Sequence, residues 1–264
     1  MARLRLADER WPIAGTFTIS RGSKTEAHVV TATLEDGAHQ GRGECVPYPR
    51  YEETVPQVLA ALEAARAAIE AGITVHDVPQ LLAPHAARNA LDCALWDLAA
   101  KREGKPVWQI AGLPEPKPAV TAYTLSLDAP AAMGEAAAKA AHSPLLKLKL
   151  GGAGDVERLK LVRRNAPASR LIVDANEGWS PDNLAAMLGA CADAGVELVE
   201  QPLPAGNDEA LRGLSRAVTV CADESAHGLD TLDSLMGKYD AINIKLDKTG
   251  GLTPAIALAR AARE

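Results

Sequence analysis

The sequence contains no run of eighteen or more apolar residues, so no helical membrane span is expected. Its opening residues, Met1 to Leu6, alternate like a strand and carry neither the apolar core nor the small-residue cleavage site of a secretory signal. Cysteine is sparse. Cys45, Cys93, Cys191 and Cys221 are scattered and form no CxxC pair, so neither a disulfide framework nor a cysteine zinc site is expected. The six histidines form no pair at metal-ligand spacing, and no P-loop lysine follows the glycines at 151, 152 and 154. Positive charge is not in excess either: the formal net charge of -6 argues against a nucleic-acid surface. These absences point to buried thiols in a reducing compartment, with the cytoplasm as the expected location and no nucleic-acid or membrane partner.

What remains is a chain of 264 residues, 47% hydrophobic, long enough for a small domain followed by a larger one. Two textures divide it. Up to residue 113 the pattern predicts strands at Arg3–Ala7 and His28–Leu34. A helix from about Glu53 to Ala71 follows, and then a second opening at Pro84 and ending before Gly104. Strands first and helices after suggest a small α+β domain over residues 1–113. Alternate prolines in Leu113-Pro114-Glu115-Pro116-Lys117-Pro118 mark an extended linker. Over 114–264 short apolar strands alternate with alanine-rich helices. Six strands are expected: Ala119–Thr124, Leu145–Leu150, Arg170–Asp174, Glu197–Glu200, Val218–Ala222 and Ala241–Lys245. A regular β-then-α repeat implies parallel strands with right-handed crossovers, hence an open doubly wound sheet or a (β/α) barrel.

The charged residues sit in register with those strands. The second reads Leu-Leu-Lys147-Leu-Lys149-Leu, with both lysines on one face. The next four end in or just before Asp174, Glu200, Asp223 and Lys245, at intervals of 25, 26, 23 and 22 residues counted from Lys149. A single acid at a strand end is usually a helix cap or a solvated loop residue. Five charges on five consecutive strand ends are not explained that way, and in a barrel those ends share one mouth. Three carboxylates there form an all-oxygen set suited to Mg²⁺, and without a cation they would repel one another. Lys149 and Lys245 flank the acids and suit a two-base transfer, one amine removing a proton from a carbon and the other returning one to the opposite face. The bond broken would be C–H alpha to a carboxylate, through an enediolate that a Lewis acid stabilises.

Several segments carry a family resemblance: Lys147-Leu148-Lys149, Asp174-Ala175-Asn176, Glu200-Gln201-Pro202, Ala222-Asp223-Glu224-Ser225 and Asn243 to Gly251. In the N-terminal half the segments Gly43 to Tyr51 and Ala86 to Asp97 join them. From about residue 10 onward the chain resembles the dipeptide epimerases of the enolase superfamily, in its muconate-lactonising subgroup. The resemblance implies a (β/α) barrel of the enolase type with an N-terminal α+β capping domain. It also implies Mg²⁺ held by Asp174, Glu200 and Asp223, with Lys149 and Lys245 as the acid/base pair acting on a small dipeptide such as L-Ala-Glu. Lys147 would contact the substrate carboxylate. Asn176 and Glu224 would support the ligands from behind. Arg21, on a loop of the capping domain, would grip a substrate carboxylate, and Thr124 would touch the substrate. Other reactions of the superfamily share the same intermediate: N-acylamino acid racemisation, cycloisomerisation and o-succinylbenzoate synthesis. From Pro118 to Glu264 there are 147 residues, enough for about six βα units, whereas a complete barrel takes about 200–250. The barrel is therefore expected to be incomplete at its C-terminus, and a catalytically inactive metal-binding fragment is the alternative to an enzyme. A homo-oligomer is left open.

Overall fold

Residues alternating between covered and open positions start the chain as an antiparallel meander. In the computed structural model, which describes residues 2–264, β1 (Arg3–Ile19) and β2 (Gly22–Asp36) meet at the two-residue turn Ser20-Arg21, and β3 (His39–Cys45) follows. The strand order is β1-β2-β3, and β2 pairs antiparallel with β3 from Val30 opposite Cys45 to Asp36 opposite His39. The expected strands Arg3–Ala7 and His28–Leu34 are thus segments of much longer ones. Pro12 does not interrupt β1, because β1 lies at the edge of its sheet, where a missing N–H is tolerated.

The chain divides into two compact units. The first holds residues 2–12, 26–117 and 244–264. Beyond β3 it contains α1 (Val55–Ala64), α2 (Arg66–Gly72), α3 (Val78–Leu81), α4 (Ala86–Glu103) and α5 (Val107–Ile110). The single helix expected over Glu53–Ala71 is two, parted at Ala65, where ψ is -8°. No glycine or proline marks the break. Arg66, the first residue of α2, donates to Leu4 O at 2.6 Å and to Glu63 and Glu70, fastening the junction to β1. Helix α4 ends where expected, at Gly104 in the left-handed conformation. It lies directly on the β3 backbone: a Cβ on Gly41 would meet Ala94 O at 2.3 Å, and one on Gly43 would meet Ala90 O at 2.0 Å. Only glycine fits at either position. The core of this unit includes Leu4, Val30, Leu34, Leu62, Ile69, Leu91 and Leu98.

The second unit holds residues 13–25 and 118–243. Its elements are β4 (Tyr123–Leu125), α6 (Pro130–Lys139), β5 (Leu145–Lys149), α7 (Asp155–Asn165), β6 (Arg170–Asp174), α8 (Pro181–Asp193), β7 (Val196–Glu200), β8 (Thr219–Ala222), α9 (Leu229–Leu235) and β9 (Ala241–Ile242). The six strands form one parallel sheet in sequence order. The expected succession of an α+β part and an α/β part with parallel strands is what forms. Three local expectations are corrected. β4 begins at Tyr123 and not Ala119, because its ladder starts where Tyr123 meets Leu146. β9 ends at Ile242 and not Lys245, because Ile242 pairs with Ala222, the last residue of β8. The connection between β7 and β8 carries only a 3₁₀ turn at Glu209–Leu211, where a helix was expected.

Alternation in the strands sends one set of side chains to the helices. Leu146, Leu148, Leu171, Val173, Val199 and Val220 are all fully buried in one cluster with residues of α6, α7 and α8. Serine caps α8 as expected: Ser180 and Asn183 form a reciprocal capping box, with Pro181 at the first helical position. After β9 come α10 (Leu246–Thr249) and α11 (Leu252–Ala261), which group with the first unit. There Thr253 N donates to Asp92 Oδ2 at 3.0 Å, and Trp96 Nε1 donates to Thr253 Oγ1 at 2.9 Å. All four cysteines are free thiols, and burial pushes that of Cys191 up to about 12. No described helix is long and apolar enough to cross a membrane.

Candidate active site

Strand register assembles the charges. Lys149 on β5 is the Cα partner of Asp174 on β6, and Asp174 is the partner of Glu200 on β7. Asp223 follows the last residue of β8. Asp174, Glu200 and Asp223 are 1%, 4% and 2% exposed, and each offers a carboxylate oxygen within 4.8 Å of the others. Burying three like charges together is costly unless cations accompany them.

Two ammonium groups do. Lys147 Nζ donates to Glu200 Oε2 at 2.5 Å and lies 2.9 Å from Asp174 Oδ2, while Lys149 Nζ donates to the same Asp174 oxygen at 2.6 Å. Burial alone would raise the Asp174 carboxyl, but Lys149 and Lys147 together outweigh it and hold the group below its ordinary range. Glu200 goes the other way: burial and then the Asp174 charge push it up by more than Lys147 draws it down. Burial opposes protonation of Lys147, yet the charges of Asp174 and Glu200 prevail and keep it protonated well above its ordinary value. Neutral donors complete the shell. Asn243 Nδ2 donates to Glu200 Oε1 at 2.9 Å, and the Asn176 N–H donates to Asp174 Oδ1 at 3.0 Å.

The arrangement is rich in acceptors. Asn176 Oδ1 and Glu224 Oε2 are buried with no hydrogen-bond partner, and the Asn176 amide reaches Glu224 Oε1 only at 3.5 Å. Oxygen donors in this number, already gathered around an ammonium, fit a hard divalent cation that retains some of its water. Asp174, Glu200 and Asp223 are the residues that could hold it.

The β1–β2 turn adds a third cation. Arg21 donates to Asn176 O and Glu177 Oε2, each at 2.9 Å, and to Glu224 Oε1 at 2.6 Å. Ser20 Oγ also donates to Asn176 O at 2.9 Å. The receiving loop is strained: Asn176 and Glu177 have φ of 46° and 64°. Phe17, the one phenylalanine of the chain, has its ring centroid 5.7 Å from Lys149 Nζ.

The second unit therefore brings together eight of the ten residues picked out from sequence: Arg21, Lys147, Lys149, Asp174, Asn176, Glu200, Asp223 and Glu224. Thr124 is the Cα partner of Lys147 and half-buried, one pleat behind Lys149. Lys245 is extended, at the N-cap of α10, and groups with the first unit. Sequence reasoning missed Asn243, Gln201, Glu177 and Phe17. Asn243 had a signal, since it stands two residues before Lys245 in an alternating run. The others had none that spacing could reveal.

The site and fold together define the class. Residues 1–112 match the N-terminal domain of mandelate racemase / muconate lactonizing enzymes, and residues 131–264 match the enolase C-terminal domain-like family. The chain belongs to this family of the enolase superfamily. Among its relatives is the L-Ala-D/L-Glu epimerase of Escherichia coli, 44% identical over 265 residues that span 100% of this chain and 83% of the relative. An N-acetyl-D-glutamate racemase of Pseudoalteromonas is 39% identical, over 89% of this chain and 75% of the relative. Among solved structures, an enolase family member from Agrobacterium tumefaciens with homology to dipeptide epimerases, with bound sodium and L-Ala-L-Glu, superimposes with a TM-score of 0.96. It is 50% identical, and the match covers 100% of this chain and 81% of that one. A dipeptide epimerase from Cytophaga hutchinsonii, complexed with Mg and D-Ala-L-Val, gives a TM-score of 0.91 at 26% identity, covering 100% and 77%.

Proposed function

We propose that the protein is a Mg²⁺-dependent epimerase of dipeptides, with L-Ala-Glu as substrate, that inverts the carbon alpha to the terminal carboxylate. The observation that carries this reading is the cluster of three buried carboxylates within 4.8 Å, with two lysines on the neighbouring strand. Asp174, Glu200 and Asp223 bind the metal, which when present supplies Lewis acidity toward a substrate carboxylate. Lys149 moves the proton on one face of the carbon and Lys245 on the other. Lys147, held protonated by its neighbours, meets the substrate carboxylate, and Thr124 lines the approach. Asn176 and Glu224 hold the ligand set from behind. Arg21 takes the side-chain carboxylate of the substrate's glutamate, for which a planar guanidinium offers two parallel donors.

The Escherichia coli and Pseudoalteromonas relatives, named for different reactions, share glutamate as the residue whose configuration changes. Glutamate therefore stands at the reacting position, with L-alanine on its nitrogen. In this reading residues 1–113 form the capping domain and 114–264 the barrel domain, and the enzyme works in the cytoplasm. The test is incubation with L-Ala-L-Glu and Mg²⁺ followed by chiral separation, beside N-acetyl-L-glutamate. L-Ala-D-Glu is the expected product. Conversion of N-acetylglutamate with none of the dipeptide would shift the assignment to the racemase, and conversion of neither would remove the epimerase reading.

A further inference from the structure

Gln201 follows the ligand Glu200 directly and is completely buried, with a left-handed φ of 35° that a glutamine rarely adopts. Every polar group it owns is engaged in hydrogen bonds. Its N–H donates to Cys221 O on β8 at 2.9 Å, and its carbonyl accepts from Glu177 N beyond β6 at 2.9 Å. The side-chain oxygen accepts from the backbone N–H groups of Asp223 at 2.9 Å and Ser225 at 3.0 Å. The side-chain nitrogen donates one hydrogen to Leu203 O at 2.8 Å and shares the other between Ser225 Oγ and Tyr239 OH, each at 2.9 Å. Behind it Asp208 anchors the far side, accepting from Lys238, Tyr239 and Ser225 at 2.5, 2.7 and 2.8 Å.

We infer that Gln201 is the positioning residue of the metal centre, fixing the Asp223 carboxylate relative to Glu200 through the Asp223 backbone. The reason is connectivity. β8 ends at Ala222, so no ladder bond reaches Asp223; its N–H is held by the Gln201 amide instead. The same residue is covalently bonded to Glu200 and hydrogen-bonded to the loop that follows Asp174. One side chain thereby sets the separation of ligands that come from β7 and β8. The left-handed backbone turns that side chain across to β8, and a network with all its members satisfied holds it there.

This inference rests on the reading of the acidic cluster as a metal centre, and the experiment separates the two. Mn²⁺ binding is followed by electron paramagnetic resonance in the full chain, the parent against Gln201→Met, Gln201→Glu and Asp223→Asn. Q201M keeps the volume but loses every side-chain hydrogen bond; it is expected to weaken Mn²⁺ binding by about tenfold or more. Q201E keeps the acceptor for the Asp223 N–H while losing donors beside Asp208, so it should melt lower yet stay within about threefold of parental affinity. A merely structural role would lower the melting temperature of both and leave both affinities unchanged. Parental affinity in folded Q201M overturns the inference. If Q201M does not fold, Gln201→Asn decides, since it keeps the amide but withdraws it by one methylene from the Asp223 N–H: about tenfold weaker Mn²⁺ binding is expected, and parental affinity in it overturns the inference equally. Failure of the parent to bind Mn²⁺, or parental binding by D223N, sinks the metal reading itself.

Discussion

Lys149 Nζ lies 2.6 Å from Asp174 Oδ2, its Cα partner on the neighbouring strand, and shares that oxygen with Lys147. A base cannot act while its lone pair carries a proton held by a buried carboxylate. A divalent cation on the acids would compete with both ammonium groups for Asp174. Lys149→Ala should accordingly lower turnover by about 10²–10⁴-fold, the usual worth of a positioned acid/base group. Lys245→Ala should do the same. The two losses differ in kind, because each lysine serves one face. Each variant should still wash solvent deuterium into one antipode of the substrate while failing to interconvert the two. Loss of exchange from both antipodes in both variants would contradict a two-base transfer.

The acidic cluster predicts a metal-dependent melting temperature. A cation that binds only the folded chain adds about 2.7 kcal/mol at a concentration one hundred times its dissociation constant. Mg²⁺ should therefore raise the melting temperature of the parent, and chelation with EDTA should reverse the rise. Asp223→Asn should abolish most of the response, since it removes one of the three carboxylates. Equal Mg²⁺ responses in parent and variant would place the cation elsewhere.

Arg21 joins the turn after β1 to Glu224, 203 residues away in sequence, and to Glu177. In the proposed enzyme a substrate glutamate competes with those carboxylates for the guanidinium. Arg21→Ala should raise KM for L-Ala-Glu by more than for a dipeptide ending in a neutral residue. Arg21→Lys should recover little, because an ammonium cannot offer two parallel donors. The ratio of kcat/KM for the two substrates is the readout, and an unchanged ratio in R21A would remove Arg21 from substrate recognition.

Asp208 supplies a pH signature. Burial pushes its carboxyl up, but hydrogen bonds from Lys238, Tyr239 and Ser225 and the Lys238 charge bring it below its ordinary value. The folded chain thus binds this proton less readily than the unfolded chain, whose aspartates titrate near about 3.9. The stabilisation is complete above that range and is lost as the pH falls through the lower folded value. Asp208→Asn should melt below the parent at pH 7, and the gap should narrow on acidification. A gap independent of pH would mean that the charge of Asp208 is not what matters.

How much of this could be read from the chain alone depends on range. Lys149, Asp174 and Glu200 were legible because parallel ladders repeat with the length of a βα unit, which turns equal intervals in sequence into neighbours in space. Strand ends were less so. Where β4 starts and β9 stops is decided by the length of the partner strand, which the chain's own apolar pattern does not encode. The β3 strand escaped notice for a related reason. Its glycines look like loop residues, and only contact with α4 explains them. Gly43→Ala should cost about 2–3 kcal/mol or more in a denaturant melt, since the added Cβ falls 2.0 Å from Ala90 O. Gln201 and the Arg21 contacts were invisible because both act on backbone or charge far away in sequence.

The most direct test follows the proton. The full chain with Mg²⁺ is incubated with L-Ala-L-Glu in D₂O, and the glutamyl α-proton is observed by NMR. Loss of that signal, retention of the alanyl α-proton, and dependence on Mg²⁺ are the predicted results, with no L-Ala-D-Glu formed when Lys149 is replaced by alanine. An undiminished glutamyl signal from folded, Mg²⁺-loaded protein would contradict the account.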